Sequence, residues 1–252
     1  SVSWPVIGDV SAFVAGIRAL LIQAAHPEVV AGVLDHSSFR DDTLGRLSRT
    51  SAWVTATTFG AEPEVTAVVA TVKRADRSIR GESERGRAYN ASNGALGAWV
   101  HNALTDSFLT AYQSFGPEPL CAADADRFVA EQAKVGALLE VDPVPLTARD
   151  LRDWLTHHPD IERSTASATA VRFLQGPPLP GPVMLGYRPL FLAATATLPP
   201  RLAGVLGLRA PSSSLPLGRA AVGALRWSLG TSPTWQRAID RAEAAPVDQL
   251  AN

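Results

Sequence analysis

Asp76 is the residue whose type and position call for chemistry. It lies in Val65–Gly81, VTAVVATVKRADRSIRG, where Val65, Val68, Val69, Val72, Ala75 and Ile79 fall on one face of a 3.6-residue helix. Asp76 falls within that face and is expected to turn inward. A buried, unpaired carboxylate costs roughly several kcal/mol, so it needs a partner, a proton or a job. Arg80, four residues on, is the expected ion-pair partner, and Gly81 the expected helix stop. Desolvation would raise the Asp76 pKa and a nearby arginine would lower it. If desolvation wins, Asp76 can donate or take a proton near neutral pH.

A second line of candidates runs along about Asp42 to Phe59. Arg46, Thr50, Trp53 and Thr57 are spaced four, three and four apart and share one helix face. A guanidinium, two hydroxyls and an indole in one line read as the polar wall of a cavity. The alternative is a solvent-facing turn. His101 sits at the edge of the apolar stripe of a later helix and reads as a satisfied core or boundary histidine. Glu131 reads as a structural acid, and Tyr89 and Asn90 as anchors for the loop over the pocket. His26 reads as a helix-terminal hydrogen-bonding group, and His157–His158 as a solvated surface pair.

The elements that must hold these groups are helical. A first helix, SAFVAGIRALLIQAAHP, has Phe13, Ile17, Leu20, Leu21 and Ala24 as its expected buried stripe, and Pro27 ends it or opens the next helix. After Gly94 comes a long amphipathic helix with Leu96, Trp99, Val100, Ala103, Leu104, Phe108 and Ala111 inward. Helices follow at about Ala122–Leu139 and after a Thr147 cap. Val183–Leu208 is apolar and broken by proline; it reads as short core helices, although a membrane surface or a second subunit would also suit it. A homodimer therefore stays open. No strand alternation, βαβ spacing or fixed-period repeat occurs. The fold class expected is all-α, a single multi-helix domain over 1–252 with an internal hydrophobic pocket between the Arg46, Asp76 and Trp99 helices.

Of the 252 residues, 46% are hydrophobic and 19% charged, enough for a sizeable core. The net charge of −1 gives no electrostatic case for nucleic acid. Cys121 stands alone, so no internal disulfide or multi-cysteine metal site can form, and a reducing, cytoplasmic location is expected. The excess of Arg over Lys points to a GC-rich bacterial genome. The longest apolar runs are interrupted by Arg18, Arg188 and Pro199, so no transmembrane segment is expected. No phosphate loop, nucleophile elbow or HExxH spacing is present.

Several runs occur in one order: IRALLIQAAHPEVVAGVLDHSSF, GRLSRT, FG, VKRADRSIRG, GRAYNASNGALGAWVHNAL and AEQAKVGALL. Together they resemble the bacterial MpaB-type oxygenases, a family that includes the latex-clearing (rubber) oxygenases. The likeness is dense over about 1–145 and thinner over 146–252. It implies an all-α fold and a b-type heme held by an inward His in an H-x-x-x-R-G pattern, with an R-x-x-x-T pair lining the pocket. Arg46 and Thr50 match that pair, and Arg80 and Gly81 match the end of the first pattern. Asp76 stands where the family has the ligand His.

Three readings follow. The first is an oxygenase-family oxidoreductase acting on an apolar isoprenoid or polyketide, as in secondary metabolism. Heme b would then be kept by Asp76 or His101, with Arg46, Thr50 and Arg80 around it. The second is a heme-less acid–base enzyme, a cyclase, isomerase or lyase, using Asp76 with Arg46, Thr50 and Arg80. The third is a non-catalytic ligand-binding protein in which Asp76 and Arg80 only support the structure.

Overall fold

A computed structural model describes residues 1–36, 43–230 and 233–244. Their order is α1 (Ser3–Gly8), α2 (Ala12–Gln23), α3 (Pro27–His36), α4 (Thr43–Phe59), α5 (Glu62–Asp76), β1 (Arg80–Glu82), β2 (Ala88–Asn90), α6 (Gly94–Phe115), α7 (Ala122–Leu138), α8 (Ala148–His157), α9 (Thr165–Gln175), α10 (Gly181–Ala196), α11 (Pro200–Leu206), α12 (Ser214–Leu229) and α13 (Pro233–Ala244). The protein is all-α apart from one short hairpin.

The central post is α6. Asn93 caps it by accepting the amide hydrogens of Ala95 and Leu96. Trp99, Ala103, Phe108 and Ala111 are buried as the apolar stripe predicts, and Leu96, Val100 and Leu104 pack against the same core. Its polar side is covered too: His101, Asn102, Thr105, Asp106 and Ser107 are all buried. The helix is therefore enclosed on every side, with α2, α7, α8 and α12 among its neighbours. α10 packs on both α2 and α12 and closes the far side of the core.

α2 departs from the expected amphipathic stripe. Phe13 is about half exposed, whereas Val14, Ala15, Arg18 and Ala19 are buried alongside Ile17, Leu21 and Ile22. A helix apolar nearly all round is a core helix, and α2 is one. Its arginine is held rather than expelled. Arg18 and Asp106 of α6 form an ion pair at 2.7 Å with both side chains 1% exposed. Arg18 also donates to Ser107 Oγ at 2.9 Å and to the Thr197 carbonyl at 3.3 Å. Arg18 therefore joins α2 to α6 and to the end of α10.

α4 closes at Gly60, whose amide donates to the Ala56 carbonyl, and Glu64 caps the start of α5 by accepting the Ala61 amide. α5 ends at Asp76, earlier than the apolar periodicity predicts. Ile79, Arg80 and Gly81 lie beyond the helix. The cause is a long-range pairing that overrides local helix pattern: β1 pairs antiparallel with β2, Arg80 opposite Asn90 and Gly81 opposite Tyr89. Gly81 is thus a strand residue and not a helix cap. A Cβ there would lie 2.5 Å from Tyr89 Oη, so only glycine lets the ring lie across the strand.

Among the described residues no single helix is long and apolar enough to cross a membrane. α2 and α3 together have the length and composition, but they meet at 108°, and most of α2 and the first half of α3 are buried in the core.

Candidate functional site

α5 buries none of its residues fully, and its valines at 65, 68, 69 and 72 are all half-buried. Asp76, at the last position of this helix, is half-buried. No hydrogen bond or ion pair reaches its carboxylate among the described residues. Burial alone pushes its pKa above the usual carboxylate value.

The expected Asp76–Arg80 ion pair does not form. Arg80 donates from Nη2 to the Arg77 carbonyl at 2.8 Å instead. With α5 ended at Asp76, the four-residue spacing no longer stacks the two side chains on one helix face. Thr50 is exposed on α4, and the Arg46 side chain lies outside the described residues.

The lower half of the predicted polar wall does face inward. Trp53 and Thr57 line a cavity of about 20 Å³ together with His101 and Thr105 of α6 and Gln132 of α7; α5 contributes no residue to it. The hollow expected among the Arg46, Asp76 and Trp99 helices is thus displaced toward α1 and α7. The displacement follows from α5 lying at the periphery while α7 covers α6. Room for about one water is what such a volume provides.

His101 is 9% exposed, and its ring lies under Gly136, where a Cβ would come within 3.0 Å of Nε2. Desolvation lowers its pKa to about 4, against a hydrogen bond to the Gln132 backbone that favours the charged form. The imidazole is therefore neutral at pH 7.

Glu131 is a structural acid, whereas Tyr89 ties the hairpin to α3 and, like the exposed Asn90, does not line the cavity. Glu131 accepts from Ser1 Oγ, Ser3 Oγ and the amides of Val2 and Ser3, which hold its pKa near 2 and tie the N-terminal segment to α7. Tyr89 is buried, and its hydroxyl donates to Asp35 Oδ2. The desolvation of the ring and that bond push the phenol to about 12.

A polar cluster that no sequence spacing announces lies on the opposite side of α6. His26 closes the bend between α2 and α3 and is 3% exposed. His158, just past α8, is half-buried rather than solvated, whereas His157 is exposed and bonds back to the Asp153 carbonyl. The His158 ring meets those of His26, Trp99 and Trp154, and His26 meets Trp99, all tilted or edge-on at centroid distances of 4.8 to 5.5 Å. One ligand atom each of His26, His158 and Asp160 lies within 4.8 Å of the other two.

Around these three, Glu28 takes Ser83 Oγ at 2.8 Å and Arg85 Nε at 2.7 Å, which holds its pKa near 2 despite burial. Arg85 reaches on to Asp160 and Glu162, and Arg87 to Asp160. His26 Nδ1 is 3.3 Å from Glu28 Oε2 yet has no hydrogen-bond partner, and Trp99 Nε1 is likewise buried without one. The signal present in the sequence is the pair of His-Pro steps, 26–27 and 158–159. Each sits at a helix end, where the residue before proline leaves the helical region.

These features define an all-α domain with two buried polar clusters flanking one central helix. The family model described as "ER-bound oxygenase mpaB/B'/Rubber oxygenase, catalytic domain" matches residues 4–227, and the chain belongs to that family. No curated protein and no solved structure matches it.

The family's heme does not fit the residues found here. Position 76 carries a half-buried carboxylate, and heme iron in the usual sites is held by His, Cys, Met or Tyr. His101, the buried imidazole on the α4 side of α6, opens on about 20 Å³, against the roughly 300 Å³ or more of a cofactor pocket.

Proposed function

We propose that this chain is an oxygenase-type oxidoreductase domain acting on an apolar small molecule, and that it works without a heme ligated at residue 76. The reading is supported by the family match over 4–227, together with a half-buried carboxylate, without a partner among the described residues, at the position where the sequence resemblance would put the ligand histidine. The valine edge of α5 beside Asp76 and the Trp53–Thr57 face of α4 are the surfaces offered to an apolar substrate such as an isoprenoid or polyketide. The test is oxygen uptake by purified protein with such a substrate and no added hemin. Substrate-dependent uptake is expected. Uptake that appears only after hemin is supplied overturns the heme-free reading, and no uptake under either condition overturns the oxygenase reading.

One observation favours a second reading. A carboxyl group raised in pKa by desolvation, with no cation beside it among the described residues, is a candidate general acid or base. Asp76 would then move a proton in an isomerisation, cyclisation or elimination of the same class of substrate. Asp76→Asn removes turnover under this reading and leaves the fold intact. Unchanged turnover refutes it.

A further inference from the structure

We propose that His26, His158 and Asp160 form a binding site for a divalent first-row transition-metal ion. The three residues come from separate stretches, the α2–α3 bend and the segment after α8, and the fold alone brings them together. Two imidazoles and one carboxylate are a donor set that holds such ions while leaving coordination positions open. Ligand atoms on one ion, at bond lengths near 2.1 Å, lie about 3.4 Å apart. The present separations, up to 4.8 Å, close to that with small rotations of His158 and Asp160, neither of which is fully buried.

The second, independent observation is the orphaned atom. His26 is 3% exposed, and its Nδ1 has no hydrogen-bond partner inside a cluster of acids. An unsatisfied buried nitrogen costs about 1–3 kcal/mol and calls for an explanation such as an ion or a water. Both imidazoles are kept neutral by desolvation, His26 with its pKa lowered to about 4. His158 Nδ1 accepts the Asp160 amide at 3.3 Å, a bond that an ion at that nitrogen would replace. Glu28, locked by Ser83 and Arg85 and 3.3 Å from His26 Nδ1, is placed to orient the ring or to complete the coordination.

The ion-paired groups around the imidazoles are three carboxylates, Glu28, Asp160 and Glu162, and two guanidiniums, Arg85 and Arg87. Arg201, which also acts on His158, brings the guanidiniums to three, so the carboxylates are balanced and the site's pull on a cation comes from its ligand atoms. The site shares no residue with Asp76 or its helix and stands whether or not the oxygenase reading holds.

Chelator-stripped protein titrated with CoCl2 tests the proposal directly. Trp99 and Trp154 pack against the ligand rings, so bound Co²⁺ quenches part of the tryptophan emission and shows ligand-field bands at one ion per chain. His158→Ala and Asp160→Asn each weaken binding at least tenfold, and His157→Ala leaves it unchanged. His26→Ala removes a buried ring and is read only alongside a thermal melt. Saturating Co²⁺ without quenching or bands overturns the site, as does quenching that survives both His158→Ala and Asp160→Asn.

Discussion

The charge state of His101 sets a pH limit on the whole fold. Folding buries this ring under Gly136 and lowers its pKa from 6.5 to about 4. As pH falls through 6.5 the unfolded chain binds the proton first, so the native state loses ground steadily until about pH 4. A tenfold difference in proton affinity is worth about 1.4 kcal/mol, which puts the loss at roughly 3 kcal/mol by pH 4. Domains hold only about 5–15 kcal/mol in all, so the effect is a large fraction of the stability. His101→Gln keeps an N–H for the Gln132 carbonyl and removes the titration. Urea melts of wild type and variant, compared at pH 7 and pH 4, read the difference. The wild type loses about 3 kcal/mol more than the variant over that interval. Parallel pH dependence of the two proteins would refute the burial argument and place His101 in contact with water.

Other perturbations have defined outcomes. Arg18→Met leaves Asp106 only its longer, 3.7 Å ion pair with Arg152 and costs about 3–5 kcal/mol in a denaturant melt. The double variant Arg18→Met/Asp106→Leu recovers most of that loss, and no recovery means the pair does more than neutralise itself. Gly81→Ala forces Tyr89 off β1 and costs about 1–3 kcal/mol, read as a drop in Tm. Asp76→Asn raises Tm at pH 7, because the folded state disfavours the charged carboxylate. That gain vanishes at low pH, where Asp76 is already protonated.

Much of this fold is legible in the chain because α6 carries 3.6-residue periodicity strong enough to name its inward residues, Trp99 and Phe108 among them. Local caps are legible as well: Thr147 accepts the Asp150 amide as its position implies. Arg18 reads as an interruption because a hydropathy pattern cannot see a partner on another helix. Gly81 looks like a helix stop because nothing local announces that its neighbour across a hairpin is a tyrosine ring. The Asp76–Arg80 pairing fails for the same reason, since the spacing is right only if the helix continues. His26 and His158 are far apart in the chain, and only the docking of α8 onto α6 brings them together.

On this reading the chain keeps the family's helical framework without the family's heme at residue 76. The absorption spectrum of the purified protein, recorded before and after addition of hemin, decides between the two. We predict no Soret band as isolated, and a hemin spectrum that matches hemin free in buffer. A Soret band stoichiometric with the chain, and lost in Asp76→Ala or His101→Ala, would contradict it.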